Sequence, residues 1–293
     1  MAKISPHLYG ILITAAGVII LSPDGLLVRL IATDSATLLF WRGLLFSIGI
    51  FGFYMLRHGF GALDTIRAMG RRGFLAAVLF CLSTIFFVLA ITHTSVANAL
   101  VIISTAPLFA ALFSWLILKE SILLSTWIAI AVCTGGISLI FMGSIGGGSR
   151  YGDISAIACA FMIAGQITTV RHARSIDMVP SLGFAGLLTA LLALPFASPL
   201  AITGSDFTYL VLLGLIVLPL AFGLITIGPR YISAPEVSLL MLLESIFGSF
   251  WVWLVLNEIP RPETLGGGAV VITTLIIHTA IAYHRRQRSV AAG

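Results

Sequence analysis

The sequence predicts an all-α polytopic membrane protein of ten transmembrane helices, arranged as two inverted five-helix repeats. Three observations carry this. Of 293 residues, 59% are hydrophobic and only 9% charged, against roughly 25% charged in an ordinary soluble domain. No soluble core could bury that much apolar surface, so lipid must cover it. The segment 95–120, SVANALVIISTAPLFAALFSWLILKE, is echoed at 233–258 by SAPEVSLLMLLESIFGSFWVWLVLNE. The shift sets Ser95 on Ser233, Phe109 on Phe247, Trp115 on Trp253 and Glu120 on Glu258, and beyond them Thr126 on Thr264 and Ala131 on Ala269. Each copy runs from small residues through an apolar stretch long enough to cross a bilayer and ends on an acid. The third observation is the distribution of basic residues.

Apolar runs place candidate spans near 8–31, 36–56, 74–92, 97–118, 123–143, 153–171, 178–198, 207–228, 235–256 and 264–284. The first resembles a signal peptide in having Lys3 ahead of an apolar run, but it is too long, and polar Ser22, Pro23, Asp24 and Gly25 interrupt it. With the N-terminus inside, cytoplasmic loops collect Lys3, Arg57, Arg67, Arg71, Arg72, Lys119, Arg171, Arg174, Arg230, Arg285, Arg286 and Arg288. The outer loops keep Arg29, Arg150 and Arg261, and Arg42 falls within a span. The positive-inside rule then puts both termini in the cytoplasm, and the net charge of +5 is explained by loop placement without a nucleic-acid partner. Five spans per half is an odd number, so matching helices cross in opposite senses and the repeat is inverted. The starts of the halves agree: a second shift sets Tyr9 and Gly10 on Tyr151 and Gly152, Asp24 on Gln166 and Arg29 on Arg171. The halves divide as 1–146 and 147–293, and Gly146, Gly147 and Gly148 between them form a flexible linker, since no helix-opening Lys-Ser/Thr follows to make a phosphate loop.

The paired copies, the run at Pro107 in the first, the run at Leu243 and Glu244 in the second, and the acidic ends at Glu120 and Glu258 resemble the EamA-type members of the drug/metabolite transporter superfamily. The LSPDGLLVRL run from residue 21 and the start of the second span at Phe40, Trp41 and Arg42 are similar to a bacterial branch of that family. Ser245 stands where many relatives have proline. The resemblance implies ten helices around a central cavity, alternating access, and export of amino acids or other small metabolites across the bacterial inner membrane. Its implied partners are the lipid bilayer and a small-molecule substrate, with protons as a candidate coupling ion and a monomer or homodimer as the assembly. Three other readings stay open: a small-drug or organic-cation exporter, a passive channel, and a membrane-embedded enzyme.

Nothing in the motifs supports catalysis. H-E-x-x-H, G-x-S-x-G and the phosphate-loop pattern are all missing, and the cysteines Cys81, Cys133 and Cys159 lie in apolar runs without metal-ligand spacing. The expectation is no enzyme, no cofactor and no metal. His7, His58, His172 and His284 read as interfacial residues, and His93 and His278 as helix-contact residues.

Charges inside spans are costly, about 2.5–3.5 kcal/mol each at a helix centre. Three stand out: Asp24, Arg42 and Glu244. Asp24 and Arg42 share one depth in the outer half, either as a buried ion pair or as a bracket for a zwitterion. Glu244 lies near the midplane, while its repeat mate Ala106 is neutral. It is a candidate titrating or amine-binding group. Trp41, Thr84, Ser104 and Gln166 complete the candidate substrate-binding set. Pro23, Pro107, Pro195 and Pro219 fall inside spans and are candidate kinks or gates. The small residues Ser104, Pro107, Ala111 and Ser114 share a helical face, as do Ser238, Ser245 and Ser249; they either let helices approach closely or make room for substrate. Gly135, Gly136 and Gly266–Gly268 read as close packing.

Overall fold

The computed structural model describes residues 5–94, 96–141, 149–202, 204–256 and 262–291. Among them every regular element is helical, and eight helices are long and apolar enough to cross a membrane. The linker glycines 146–148 and the acid Glu258 lie outside the described residues.

The first span is two pieces, α1 (Pro6–Leu21) and α2 (Asp24–Leu30), because Pro23 follows Ser22 and cannot continue the ladder of α1. Next come α3 (Ser35–His58) and α4 (Ala62–His93). The sequence places residues 57–73 in a loop, but α4 already contains Arg67, Arg71 and Arg72, bent at Gly70, whose φ of 51° is open to glycine. The first copy of the long repeat forms α5 (Val96–Ile103) and α6 (Ala106–Leu116), broken ahead of Pro107. It is followed by α7 (Leu124–Phe141).

In the second half, α8 is Arg150–His172 and α9 is Val179–Ala193. Pro195 is not a mid-span kink. It starts a single 3-10 turn, Leu194–Phe196, that ends α9. Then α10 (Ser205–Val211) passes through a π-helical turn, Leu212–Val217, into α11 (Leu218–Ile227). Pro219 sits in the first turn of α11, and its ring lies so close to α3 that a Cβ on Gly49 would meet Cγ at 2.5 Å. The second copy of the repeat forms α12 (Ala234–Met241) and α13 (Leu243–Leu256), so the span expected over 235–256 is broken near its middle. The last helix is α14 (Pro262–Ala291).

Packing follows a pattern. α4 lies on α8 and α1 on α11; α3 lies on α9, α6 on α12 and α7 on α14. The main core runs from Val18 and Leu21 of α1 through Phe46 and Ile50 of α3 to Leu182, Leu213 and Leu218 of the second half. A smaller core joins Ile130, Cys133 and Ile137 of α7 to Val271 and Leu275 of α14. There Gly136 approaches Gly267: a Cβ on it would sit 3.2 Å from the Gly267 carbonyl oxygen. That glycine packs within the chain. The small-residue face of α6, with Pro107, Ala110, Ala111 and Ser114 buried, turns toward α8 and α12.

Candidate substrate site

The break at Ser22 and Pro23 presents Asp24 to α3. Its two carboxylate oxygens accept hydrogen bonds from Arg42 Nη1 at 2.5 Å and Nη2 at 2.8 Å, a fork-to-fork pair. Asp24 is 4% and Arg42 7% exposed. The Ser22 hydroxyl donates to the Ile19 carbonyl at 2.7 Å and accepts from Trp251 Nε1 at 2.8 Å, so the broken turn is anchored to α13. Glu244 lies on that same helix, partly buried and within electrostatic reach of both Asp24 and Arg42. One guanidinium and two carboxylates therefore share one region of the bundle.

The start of α3 is held from outside. Asp34 caps it, accepting from the Ala36 and Thr37 amides at 3.0 and 2.9 Å. The Thr37 hydroxyl and amide hold the Asp34 carboxyl below its ordinary range. Thr37 Oγ1 also accepts from the Ser198 amide at 2.8 Å, and Trp41 Nε1 donates to the Pro199 carbonyl at 3.1 Å. This places Trp41 away from the expected substrate set: its indole braces α3 against the loop at Pro199 and stands edge-on to Phe207.

A cavity opens beside the ion pair, lined by Arg42, Gly43, Phe46, Phe80, Thr84, Gly186, Thr189, Leu218 and Phe222. Its volume of about 20 Å³ for water centres suits a single water. Two levels are evident in the register. Arg42, Thr84 and Thr189 lie together at the polar level. One turn further in, Phe46, Phe80 and Phe222 meet with ring centroids 4.8–6.0 Å apart. Thr84 thus reaches the cavity, although its hydroxyl donates to its own helix at the Phe80 carbonyl.

The other expected site residues are dispersed. Ser104 is buried and donates to the Val101 carbonyl at 2.6 Å, closing the break before α6, and it does not line this cavity. Gln166 is buried on α8, also outside the lining. Pro23, Pro107 and Pro219 each mark a discontinuity in a span, whereas Pro195 does not.

Sequence reasoning missed two ion pairs. His7, expected at an interface, is 3% exposed, and its Nε2 lies 2.9 Å from Glu236 Oε1. Arg171 Nε donates to Glu120 Oε1 at 3.0 Å and Nη1 donates to the Pro229 carbonyl at 3.0 Å. Lys119, with φ of 54°, turns the chain that brings Glu120 there. The signal in both cases was an acid close to a span end, facing a base far away in sequence. His278 does make a helix contact, through Nε2 to Thr126 Oγ1 at 3.0 Å.

Comparison with known proteins agrees with this arrangement. The EamA-like transporter family matches the chain twice, over residues 8–142 and 150–280. Proteins named pseudopaline exporter CntI from two strains of Pseudomonas aeruginosa, UCBPP-PA14 and PAO1, are each 25% identical, over 256 and 253 residues respectively, with 83% of this chain and 85% of theirs covered. A protein of known crystal structure, 18% identical, shares the fold with a TM-score of 0.81 over 94% of this chain and 98% of its own. With both halves matched and apolar helices of spanning length throughout, the chain is a multi-pass membrane protein that belongs to the EamA-like transporter family.

Proposed function

We propose that this protein exports amino acids or similar small zwitterionic metabolites across the bacterial inner membrane by alternating access. The carrying observation is the buried Asp24–Arg42 pair, joined by Glu244, beside a cavity lined from both halves of the chain. A guanidinium among carboxylates can exchange its internal partner for a substrate carboxylate while an acid takes the substrate ammonium. The aromatic level beneath closes the way inward. Export as the direction is supported by the names of the Pseudomonas relatives.

The spans number ten when α5 with α6 and α12 with α13 are each taken as one broken crossing and α7 as the fifth. Inversion is supported by the packing pattern. Under a two-fold axis in the membrane plane, the third and sixth spans are mates of the eighth and first, and α4–α8 and α1–α11 are both strong contacts. Three further contacts, α3–α9, α6–α12 and α7–α14, each join a span to its own mate, while α4–α9 and α6–α8 join spans that are not mates. The concentration of basic residues in one set of loops supports cytoplasmic termini.

One observation favours a second reading. Asp24 and Glu244 outnumber Arg42, and a surplus carboxylate suits an organic cation. Counterflow in proteoliposomes separates the two. Labelled neutral amino acids should exchange with saturation and should be competed by unlabelled ones, while a panel of organic cations should not compete. Cation counterflow without amino-acid counterflow transfers the site to the second reading, and flux without saturation makes the protein a channel.

A further inference from the structure

The inner end of the bundle holds a titratable site that the substrate cavity does not use. His7 on α1 and Glu236 on α12 are 229 residues apart and come from opposite halves. Glu236 Oε1 takes His7, while Oε2 accepts from the Ser233 amide at 2.8 Å and the Ser233 hydroxyl at 2.7 Å. The carboxylate is thus fully engaged. His7 is not: its Nδ1 is buried without a hydrogen-bond partner. A neutral imidazole that donates from Nε2 leaves Nδ1 as a bare acceptor, whereas an imidazolium balances the carboxylate charge.

Around this pair, α12 contributes Glu236, the turn Gly228–Arg230 that packs on α1 carries Arg230, and α8 brings Arg171, which donates to the Pro229 carbonyl and is paired with Glu120. Tyr231 stands edge-on to Tyr9 at 5.1 Å. From α14, His278 lies within electrostatic reach of both His7 and Glu236 while bound to Thr126 of α7. The helix α11 brings no titratable group, and Glu244 of α13 belongs to the far end of α1. His7 is therefore the partner that answers Glu236 directly.

The repeat makes this pair conspicuous. At the inner end, Gly10 meets Tyr231 and Ile232 while Tyr9 packs on Tyr231. At the opposite end, the repeat mate Gly152 meets His93 and Thr94 while Tyr151 packs on His93 at 4.9 Å. The outer joint has its own polar contact, the Thr94 hydroxyl donating to Asp153 Oδ1 at 2.9 Å, within one half-to-half seam of the same kind. In sequence, His7 and Glu236 are mirrored by Ser149 and Asn98, which carry no charge. Scaffold symmetry asks for a joint at both ends but not for a histidine–glutamate pair at these two positions.

We propose that His7 and Glu236 form a proton-binding inner gate: the imidazolium–carboxylate pair joins the cytoplasmic ends of the two halves, and loss of the proton lets them part. This rests on the alternating-access reading. The step balances simply. His7 gives its proton to cytoplasmic water as the ends separate, Glu236 stays a carboxylate and becomes hydrated, and closing reverses both. Because parting releases a proton, a rise in pH favours the parted state by mass action.

The test is thiol labelling, which needs no substrate. Cys81, Cys133 and Cys159 are buried and free and are replaced to give a cysteine-free chain. Ile232→Cys then places a thiol at a fully buried position within the joint. In inside-out vesicles, an impermeant maleimide is applied between about pH 5.5 and 8.5. The same thiol in a His7→Gln background supplies the correction for thiol ionisation. The corrected rate should rise by up to about tenfold per pH unit, the limiting slope for one proton, and Glu236→Gln should abolish that rise. Glu236→Gln keeps one acceptor oxygen for Ser233 and turns its amide NH2 toward a neutral His7 Nε2, so it carries the test if His7→Gln fails to fold, with an exposed engineered cysteine supplying the thiol correction. An identical pH profile with and without the ionisable pair overturns the gate. Labelling independent of pH in a chain that performs counterflow sinks the gate and leaves transport standing; a pH switch without counterflow does the reverse.

Discussion

Gly43 and Gly186 face each other reciprocally: a Cβ built on either would lie 2.6 Å from the carbonyl oxygen of the other. This is a backbone-to-backbone approach of α3 to α9, next to Arg42 and on the wall of the cavity. Reciprocity of this kind is what a two-fold axis through the contact produces. Backbone cannot yield as a flexible side chain would, so Gly186→Ala should force the helices apart and destabilise by about 1–3 kcal/mol. Gly52→Ala, where a Cβ meets nothing within 4 Å, should be neutral or stabilising by roughly 0.5–1 kcal/mol. Thermal denaturation in detergent checks both. Equal effects at the two positions would remove the close approach as the cause.

Removing one member of the Asp24–Arg42 pair strands a buried charge. Asp24→Asn and Arg42→Gln should each destabilise by roughly 3–5 kcal/mol. Exchanging the two, Asp24→Arg with Arg42→Asp, should recover folded protein relative to either single change, read as the monodisperse fraction after detergent extraction. No recovery in the exchange would mean that direction, and not only charge balance, matters at this depth.

Glu244→Gln keeps shape and hydrogen bonding but removes charge. If Glu244 takes the substrate ammonium, the variant should lose counterflow of amino acids by about tenfold or more, equivalent to about 1.4 kcal/mol, while thermal stability holds. Wild-type counterflow with unchanged pH dependence would make Glu244 scaffold.

Cysteines at Ser149 and Ser175, both exposed in the structure, report the sidedness of α8. Labelling of Ser149→Cys by an impermeant reagent should occur from outside, and that of Ser175→Cys only from inside. Labelling of both from one side would end the five-plus-five topology.

The membrane class, the repeat and the Asp24–Arg42 pair were legible because each leaves a strong local mark. Charge within an apolar run is costly enough to demand a partner, and Asp24 and Arg42 are near neighbours in sequence. The breaks at Pro23 and Pro107 were legible for a similar reason, since a missing amide shows in the residue itself. Pro195 misled because hydropathy continues past the point where the helix closes. The interruption between Met241 and Leu243 carries no proline or glycine, so nothing local announced it. His7–Glu236 and Glu120–Arg171 were hidden by distance along the chain. Each residue alone looks like an ordinary span-end group, and only folding of one half against the other identifies the partner. Trp41 and Ser104 show the complementary limit: residue type suggested a cavity, while their hydrogen bonds run to a loop carbonyl and to their own helix.

The pairing of α1 with α11 and α12 also sets a timetable for biogenesis. A ribosome adding about 5–20 residues per second needs roughly ten to forty-five seconds to cover the 229 residues between His7 and Glu236. Through that interval the first helix sits in the bilayer with its histidine and its Gly10 and Gly17 notches facing lipid or insertion machinery. Chains released before the eighth span would expose that face permanently, a mark by which membrane quality control could tell truncated products from finished ones.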